Sequence, residues 1–460
     1  MLIVFLLVPF QRRFHGFFDS FSRSLSLPDF PLPVYFSRKI HLFTSDLFII
    51  ALGCILIFWL RTSLRKLFLE GPSKYLTLLF FTFLLSTSLS ISKQYSLQYF
   101  RLFEFSLVFL FFNCICSLRT KIDLQRFVKR LAWVFVSISL VQCVISICQF
   151  VSQDAVGLSF FGEIDPHKFL FHVRGAPNGF LTQLLGPQFN SAELCRACGT
   201  FLHPNVLGGF LFCSIMASFY LCVEEVTRLK RLFLQVMILL QFFALYLSFS
   251  RAAILALFLS ALVWCFLQLK QKSRSRGLAI LAGTVVFSAL IGAIVLYPQL
   301  KARGGIINYN KTSQEADSER LIYMKVAAKM IKEHPLLGVG YNNFQIYSQH
   351  EQPRFPHNYI HSKVHNIYLL IASEAGLIGV SIFLLFILAI LRAALKKMAD
   401  EAFQEKAFLF STFFGFLVIG CCDFYFLENP QGSILFFGIA GLLYGVSSTN
   451  KGLELLPAAH

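Results

Sequence analysis

The chain has 460 residues, of which 56% are hydrophobic and only 14% charged, with 55 phenylalanines. Soluble domains carry about 25% charged residues, so this composition excludes an ordinary soluble globular protein and points to lipid. A net charge of +17 would suggest nucleic acid in a soluble chain; here it is read as Lys and Arg sorting between the two sides of a membrane, and no nucleic-acid partner is expected.

The N-terminal "MLIVFLLVPF" lacks the basic n-region and small-residue cleavage site of a signal peptide, which leaves a short first span or an interfacial anchor. Apolar windows near the length of a spanning helix follow at 44–60, 75–92, 98–117, 131–152, 205–223, 232–248, 253–268, 278–297, 366–392, 406–424 and 432–447. They predict an all-α polytopic membrane protein with about eleven or twelve transmembrane helices, built as one domain over residues 1–460. The loops "RTSLRKLFLEGPSK", "LRTKIDLQRFVKR", "EEVTRLKR", "KQKSRSR" and "RAALKKMADEAFQEK" alternate along the chain and are basic, so they read as cytoplasmic. The other loops then face outside, among them two long segments at 153–204 and 298–365. Arg12, Arg13, Arg23, Arg38 and Lys39 also fall outside in this scheme, against the charge rule. Small residues such as Gly208, Gly209, Gly283 and Gly292 lie inside spans, where they allow close helix packing.

Within 298–365, "SERLIYMKVAAKMIKEH" places Leu321, Met324, Ala328 and Ile331 near helical spacing, with Ser318 as an N-cap. An amphipathic helix along the outer membrane face is expected, ended by "HPLLGVGYNNF". All cysteines except Cys195 and Cys198 lie in apolar runs and read as small hydrophobes. That pair, in "CRAC", leaves a disulfide or a metal site open, on weak evidence.

Four polar clusters fall on the outer side: "RACGTFLHPN" with Arg196, "SFSRAA" with Arg251, "ERLIYMK" with Arg320 and "HSKVHN" with Lys363, His365 and Asn366. Singly, each has a plain structural account: a solvated loop charge at Arg196, a helix cap at His203, a snorkelling Arg251, a face charge at Arg320, an interfacial His365. Together, three arginines and a histidine make a site for an anionic group beside a titratable one. Arginine gives forked, permanently charged contacts to phosphate oxygens, and histidine is readily poised to take a proton near neutral pH. Glycan transfer from a lipid diphosphate needs both: the diphosphate leaves with negative charge, and the acceptor hydroxyl must lose a proton. The acidic pairs Glu163/Asp165 and Asp317/Glu319 read as solvated acids, and no metal is inferred.

"HNIYLLIASEAGLIG" runs from His365 and Asn366 through nine residues to Gly376, Leu377, Ile378 and Gly379. This resembles the H[NSQ]-x9-GxxG motif of the O-antigen ligase and polymerase superfamily, and of the nearby histidines only His365 fits the spacing. "RACGTFLHPNVLGGFL", "LSFSRAAILAL" and "RLIYMKVAAKMIKEHPLLGVGYNNF" are similar to further elements of that family, in the same order, from about 196 to 380. The resemblance implies a GT-C-like fold in a bacterial inner membrane and metal-independent transfer at a periplasmic site. It also implies a polyprenyl-diphosphate glycan donor and a hydroxyl acceptor such as lipid A-core. By the same resemblance His365 is the proposed general base, and Arg320, Arg251 and, less directly, Arg196 bind the diphosphate, with Arg174 an alternative to Arg196. Relatives often carry a histidine where this chain has Lys363, which leaves Lys363 as a further phosphate contact or as a like charge lowering the His365 pKa. Asn366, Gly376 and Gly379 are expected on one continuous helix, where the glycines let another helix or the polyprenyl chain lie close. A polymerase and a protein O-oligosaccharyltransferase are the alternatives within the resemblance. A transporter is the reading from another class, disfavoured because the charges cluster at one face and no paired broken helices are evident.

Overall fold

The structure is a computed structural model that describes residues 2–10, 13–14, 42–55, 68–90, 95–118, 123–165, 167, 172–174, 179–190, 193–225, 227–270, 311–350, 363–396 and 402–448, with positions 58, 65, 283 and 286. Its helices are α1 (Leu2–Leu7), α2 (Thr44–Cys54), α3 (Ser73–Ser88), α4 (Tyr95–Leu118), α5 (Leu124–Ser152), α6 (Gly179–Leu185), α7 (Pro204–Glu224), α8 (Arg228–Leu247), α9 (Arg251–Lys270), α10 (Lys311–Glu333), α11 (Phe344–His350), α12 (Ile367–Lys396), α13 (Phe403–Cys422), α14 (Tyr425–Glu428) and α15 (Pro430–Ser448). Two short antiparallel ladders join β1 (Arg13–Phe14) to β2 (Leu42–Phe43) and β3 (His172–Arg174) to β4 (Glu193–Cys195). Among the described residues, α5, α7, α8, α9, α12, α13 and α15 are the 7 helices long and apolar enough to cross a membrane. The chain is an all-α, multi-pass membrane protein. Every expected window overlaps a described helix except 278–297, which lies outside the described residues apart from two positions, and the ends of 44–60 and 75–92 also lie partly outside them.

α7 is the central post: nearly every residue from Val206 to Val223 is buried, against α5, α8, α9, α13 and α15. Lipid is as apolar as this core, so burial alone does not choose helix partners; shape and internal hydrogen bonds do. Aromatic rings supply the shape. Phe436 stacks on Phe426 at 4.5 Å and on Phe413 at 5.6 Å, and meets Phe416 edge-on at 5.9 Å. Hydrogen bonds supply the register: Gln241 on α8 donates to Ser139 Oγ on α5 (2.7 Å) and accepts from Ser218 Oγ on α7 (3.0 Å). Such side chains have no water to bind at that depth, so they bind each other.

α1 has 6 residues, about 9 Å of helix at 1.5 Å per residue, too short to span, and it packs Val4 and Phe5 against the bundle while Ile3 and Leu6 are exposed. Phe5 meets Phe111 of α4 at 5.5 Å and Phe135 of α5 at 5.9 Å, and the Pro9 carbonyl accepts from Thr200 Oγ1 at 2.6 Å.

α10 differs from its expected form in two ways. It begins at Lys311, so Ser318 lies inside it rather than capping it. It is also apolar on two sides. Tyr323, Val326, Ala327 and Met330 pack with Val339, Phe344, Val364 and Leu370, which seats the helix on the start of α12. The expected stripe at Leu321, Met324 and Ala328 is exposed. The buried face packs against the start of α12, leaving the Leu321, Met324 and Ala328 stripe outward, where an outer membrane surface could meet it.

Candidate active site

The loop ahead of α7 carries Arg196, and α5 holds that loop from beneath. Gln149 Oε1 accepts from the amides of Cys198 (3.1 Å) and Gly199 (2.8 Å), and Gln142 Oε1 accepts from that of Thr200 (3.0 Å). Gln142 and Gln149 are two turns apart, hence on one face of α5. The Arg196 guanidinium is buried. Its Nε donates to the Ser248 carbonyl at 2.9 Å and its Nη2 to Asn205 Oδ1 at 2.6 Å. Asn205 in turn donates to Asp423 Oδ2 at 2.6 Å. His203 is the N-cap of α7, its Nδ1 accepting from the Asn205 amide at 3.0 Å, as its plain account held.

Arg251 opens α9 after a three-residue turn, 248–250, in which Phe249 adopts a left-handed φ of 50°. A bulky residue there is strained; burial of the Phe249 ring and the bond from Arg196 to Ser248 hold the turn. A Cβ on Gly208 of α7 would lie 2.7 Å from Ser250 Cβ, so glycine is what lets this turn press against α7. Arg251 is exposed and Arg320 half-buried.

His365 lies just before α12. Its ring stands edge-on to Phe424 at 5.4 Å and 6.4 Å from Tyr323 on α10. Its Nδ1 is buried, with no hydrogen-bond partner among the described residues. Burial lowers its pKa below the ordinary value and the Arg320 charge lowers it further, while Asp423 and the Lys363 backbone act to raise it. The imidazole is therefore held neutral near pH 7, the form able to accept a proton. Burial also pulls Arg196 down to about 10, with Asp423 opposing and the charges of Arg320 and Arg251 adding to the fall; it stays protonated. Arg320 thus acts on both His365 and Arg196, Arg251 acts on Arg196, and Asp423 acts on both His365 and Arg196, near where α7, α9 and α12 begin and α13 ends. Neighbouring guanidinium groups of this kind raise the local positive potential, which favours an anion.

Lys363 is not on that face. It is 1% exposed, and its Nζ donates to Asn342 Oδ1 at 2.7 Å, to Glu374 Oε1 at 3.2 Å and to Glu428 Oε1. All three ammonium protons have acceptors, so the expected phosphate contact at Lys363 is replaced by a buried ionic cluster. Arg101 extends the cluster, bonding Glu104 at 2.6 Å and the Glu428 carbonyl at 2.7 Å.

The expected continuous helix below His365 is broken. Gly376 has φ 70° and ψ −174°, and the backbone of residues 335–340 fills the gap. Val339 N and Gly340 N donate to the Ser373 and Glu374 carbonyls, at 3.0 and 3.1 Å. Leu377 N donates back to the Pro335 carbonyl at 2.7 Å, and Ser86 Oγ of α3 reaches both the Leu337 and Glu374 carbonyls. The Ser373 and Glu374 carbonyls and the Leu377 amide, which the break frees from helical partners, are met by protein, as membrane depth requires. A Cβ at Gly376 would sit 2.1 Å from the Leu336 carbonyl oxygen. What lies close to this glycine is therefore a loop, neither a helix nor a lipid chain. Gly379 faces Thr82 of α3, 3.8 Å from a Cβ placed there. Asn366 caps α12 through the Leu369 amide (3.0 Å) and ties it to the Cys421 carbonyl of α13 (3.1 Å).

Other expected sites resolve differently. Glu163 is a buried cap rather than a solvated acid; it accepts from Gln149 Nε2 and the Val156 amide, each at 2.7 Å. Cys195 and Cys198 are buried free thiols, and burial raises Cys195 to about 11, with Asp154 and Asp165 adding to the rise, which leaves it unreactive. The side chains of Arg174, Asp317 and Glu319 lie outside the described residues. Asp423, Glu374, Glu428, Gln142 and Gln149 escaped the sequence reading. Their signal was present: an ionisable or amide side chain inside or flanking an apolar run.

No curated protein matches the chain. A family model described as O-antigen ligase matches residues 236–408, a stretch that holds Arg251, Arg320, Lys363, His365 and both glycines of the GxxG but stops short of Asp423 and begins after Arg196. The match over that stretch supports placing the chain in the O-antigen ligase superfamily.

Proposed function

We propose that the chain moves a glycan from a polyprenyl diphosphate to a hydroxyl of a lipid A-core-like acceptor, without a metal, on the periplasmic side of a bacterial inner membrane. The observation that supports this reading is a neutral imidazole at His365, its Nδ1 buried and without a hydrogen-bond partner among the described residues, in the field of Arg320, which with Arg251 also acts on the buried Arg196. His365 takes the acceptor's proton as the acceptor oxygen attacks the anomeric carbon. The bond from that carbon to the diphosphate oxygen breaks, and the electron pair leaves on the diphosphate. Arg251 and Arg320 receive the growing phosphate charge, the charge that a preorganised cationic pocket stabilises most in the transition state. Arg196, fixed to Ser248 and Asn205, adds its field from below, and Asp423 balances the imidazolium that forms.

Reconstitution with a purified polyprenyl-diphosphate glycan and, separately, a lipid A-core, a second carrier-linked glycan and a hydroxyl-bearing peptide tests the reading. Transfer to the lipid acceptor is expected. Transfer to the glycan makes the chain a polymerase, transfer to the peptide a protein glycosyltransferase, and vesicle flux without any transfer a transporter. His365→Ala should reduce transfer by at least about a thousandfold, the scale of a lost general base, with membrane insertion unchanged. Arg251→Ala and Arg320→Ala should raise donor KM or lower donor kcat/KM while acceptor KM stays put; equal effects on both substrates would remove the diphosphate role.

A further inference from the structure

We propose that the Lys363 ammonium is the positioning residue of this site, a buried tripod that fixes His365, Arg320 and Asp423 relative to one another; the inference rests on the functional reading above. The three acceptors of Lys363 lie on three separate segments. Asn342 follows α10, which carries Arg320. Glu374 lies on α12, below His365, and its carboxylate also accepts the amides of Asn342 (3.0 Å) and Phe344 (3.2 Å). Glu428 closes α14, the short helix that follows Asp423. Lys363 itself sits two residues before His365. One cation thus draws together the chain segments that bear the proposed base, a proposed phosphate ligand and the neighbouring acid.

The chemistry suits that task. An ammonium offers three donors at tetrahedral angles, whereas a guanidinium is a flat fork. The groups facing Lys363 are Glu374 from α12, Glu428 from α14 and Asn342 from the loop after α10. Behind them stand Arg101 and Glu104 on α4 and the Tyr341 phenol, all within reach of the same charges. Removing the ammonium would leave the buried Glu374 and half-buried Glu428 carboxylates near each other without their shared cation, a pair that is relieved when one of them takes a proton.

The test compares Lys363→Met, Lys363→Arg and the double variant Lys363→Met/Glu428→Gln in purified full-length protein. Hydrogen exchange read by mass spectrometry is the first readout, and it does not depend on which reaction the chain performs. Lys363→Met should speed exchange in residues 342–350, 364–372 and 423–428 together, and lowering the pH or adding Glu428→Gln should reverse much of that. Transfer activity is the second readout. Lys363→Met should lower kcat about a hundredfold, as a misplacement near 1 Å does, with donor KM unchanged, a lower pH optimum and partial recovery in the double variant. Lys363→Arg should not restore activity. Unchanged exchange in the three segments would overturn the proposal whether or not the wild type transfers glycan. So would a raised donor KM that Lys363→Arg repairs, since that is the signature of a direct phosphate contact. Altered exchange in Lys363→Met, in a protein whose wild type never transfers glycan, would instead keep the tripod and remove the functional reading.

Discussion

At His365, charges of opposite sign act on a single imidazole. Burial and Arg320 push its pKa below the ordinary value, and Asp423 pulls it back up. The neutral base is present above the folded pKa, so transfer should fall as pH drops through a midpoint under about 6.5. Removing the acid takes away a term that raises the pKa, so Asp423→Asn should move that limb to lower pH. Removing the cation takes away a term that lowers it, so Arg320→Ala should move the limb to higher pH. Rate profiles of kcat/KM against pH check both; shifts of the same sign in the two variants would sink the proposed electrostatics. At the same scale, the buried cations Arg196 and Lys363 are engaged by the protein's own acceptors, whereas the Arg251 side chain is exposed.

α12 is the element on which the candidate site turns. Its break at Gly376 lets the chain after α10 enter as a fifth-column backbone, so the helix bearing Arg320 is stitched to the helix below His365 by main-chain hydrogen bonds. Side-chain variation scarcely disturbs such a joint, but a Cβ at its centre does. Gly376→Ala meets both a left-handed φ and a carbonyl oxygen 2.1 Å away. Backbone strain of that kind costs of order 1–3 kcal/mol, and the clash adds to it, so the variant should lose about 2 kcal/mol or more of stability. Thermal unfolding in detergent measures the loss, with Leu336→Ala as the control, since that side chain is 66% exposed and its removal should shift the midpoint little. A Gly376→Ala variant as stable as wild type would mean that the joint bears no strain. The break also bears on transport: among the described residues, this interrupted helix has its gap filled by protein, unlike the paired, substrate-lined interruptions of transporters.

Across the whole molecule, alternating helix directions sort the loops into two ends. One end carries the candidate site. The other carries Glu225 with Lys129 at 3.2 Å and Lys230 at 3.5 Å, and Glu405 with Tyr220 at 2.9 Å. If the basic end is cytoplasmic, Phe160→Cys at the site end should react with a membrane-impermeant thiol reagent added outside, and Leu229→Cys at the far end should not; both side chains are well exposed. The background must lack the exposed Cys54, Cys148 and Cys421, and the reverse labelling pattern would place the site in the cytoplasm. Much of this was legible in the sequence. Apolar windows set the helices, because lipid demands long runs with internally bonded backbones, and the His365-Asn366-x9-GxxG spacing with its arginine motifs marked the family. These signals are local, each contained in one stretch of chain. What only the tertiary structure decided was non-local: that Lys363 turns inward to Glu374 and Glu428, 11 and 65 residues away; that Gly376 interrupts its helix to admit the 335–340 loop; that α10 buries Tyr323 rather than Leu321; and that Asp423, unmarked by any motif, stands beside His365. Partners distant in sequence meet through packing, and composition and period carry no record of whom a buried charge will meet.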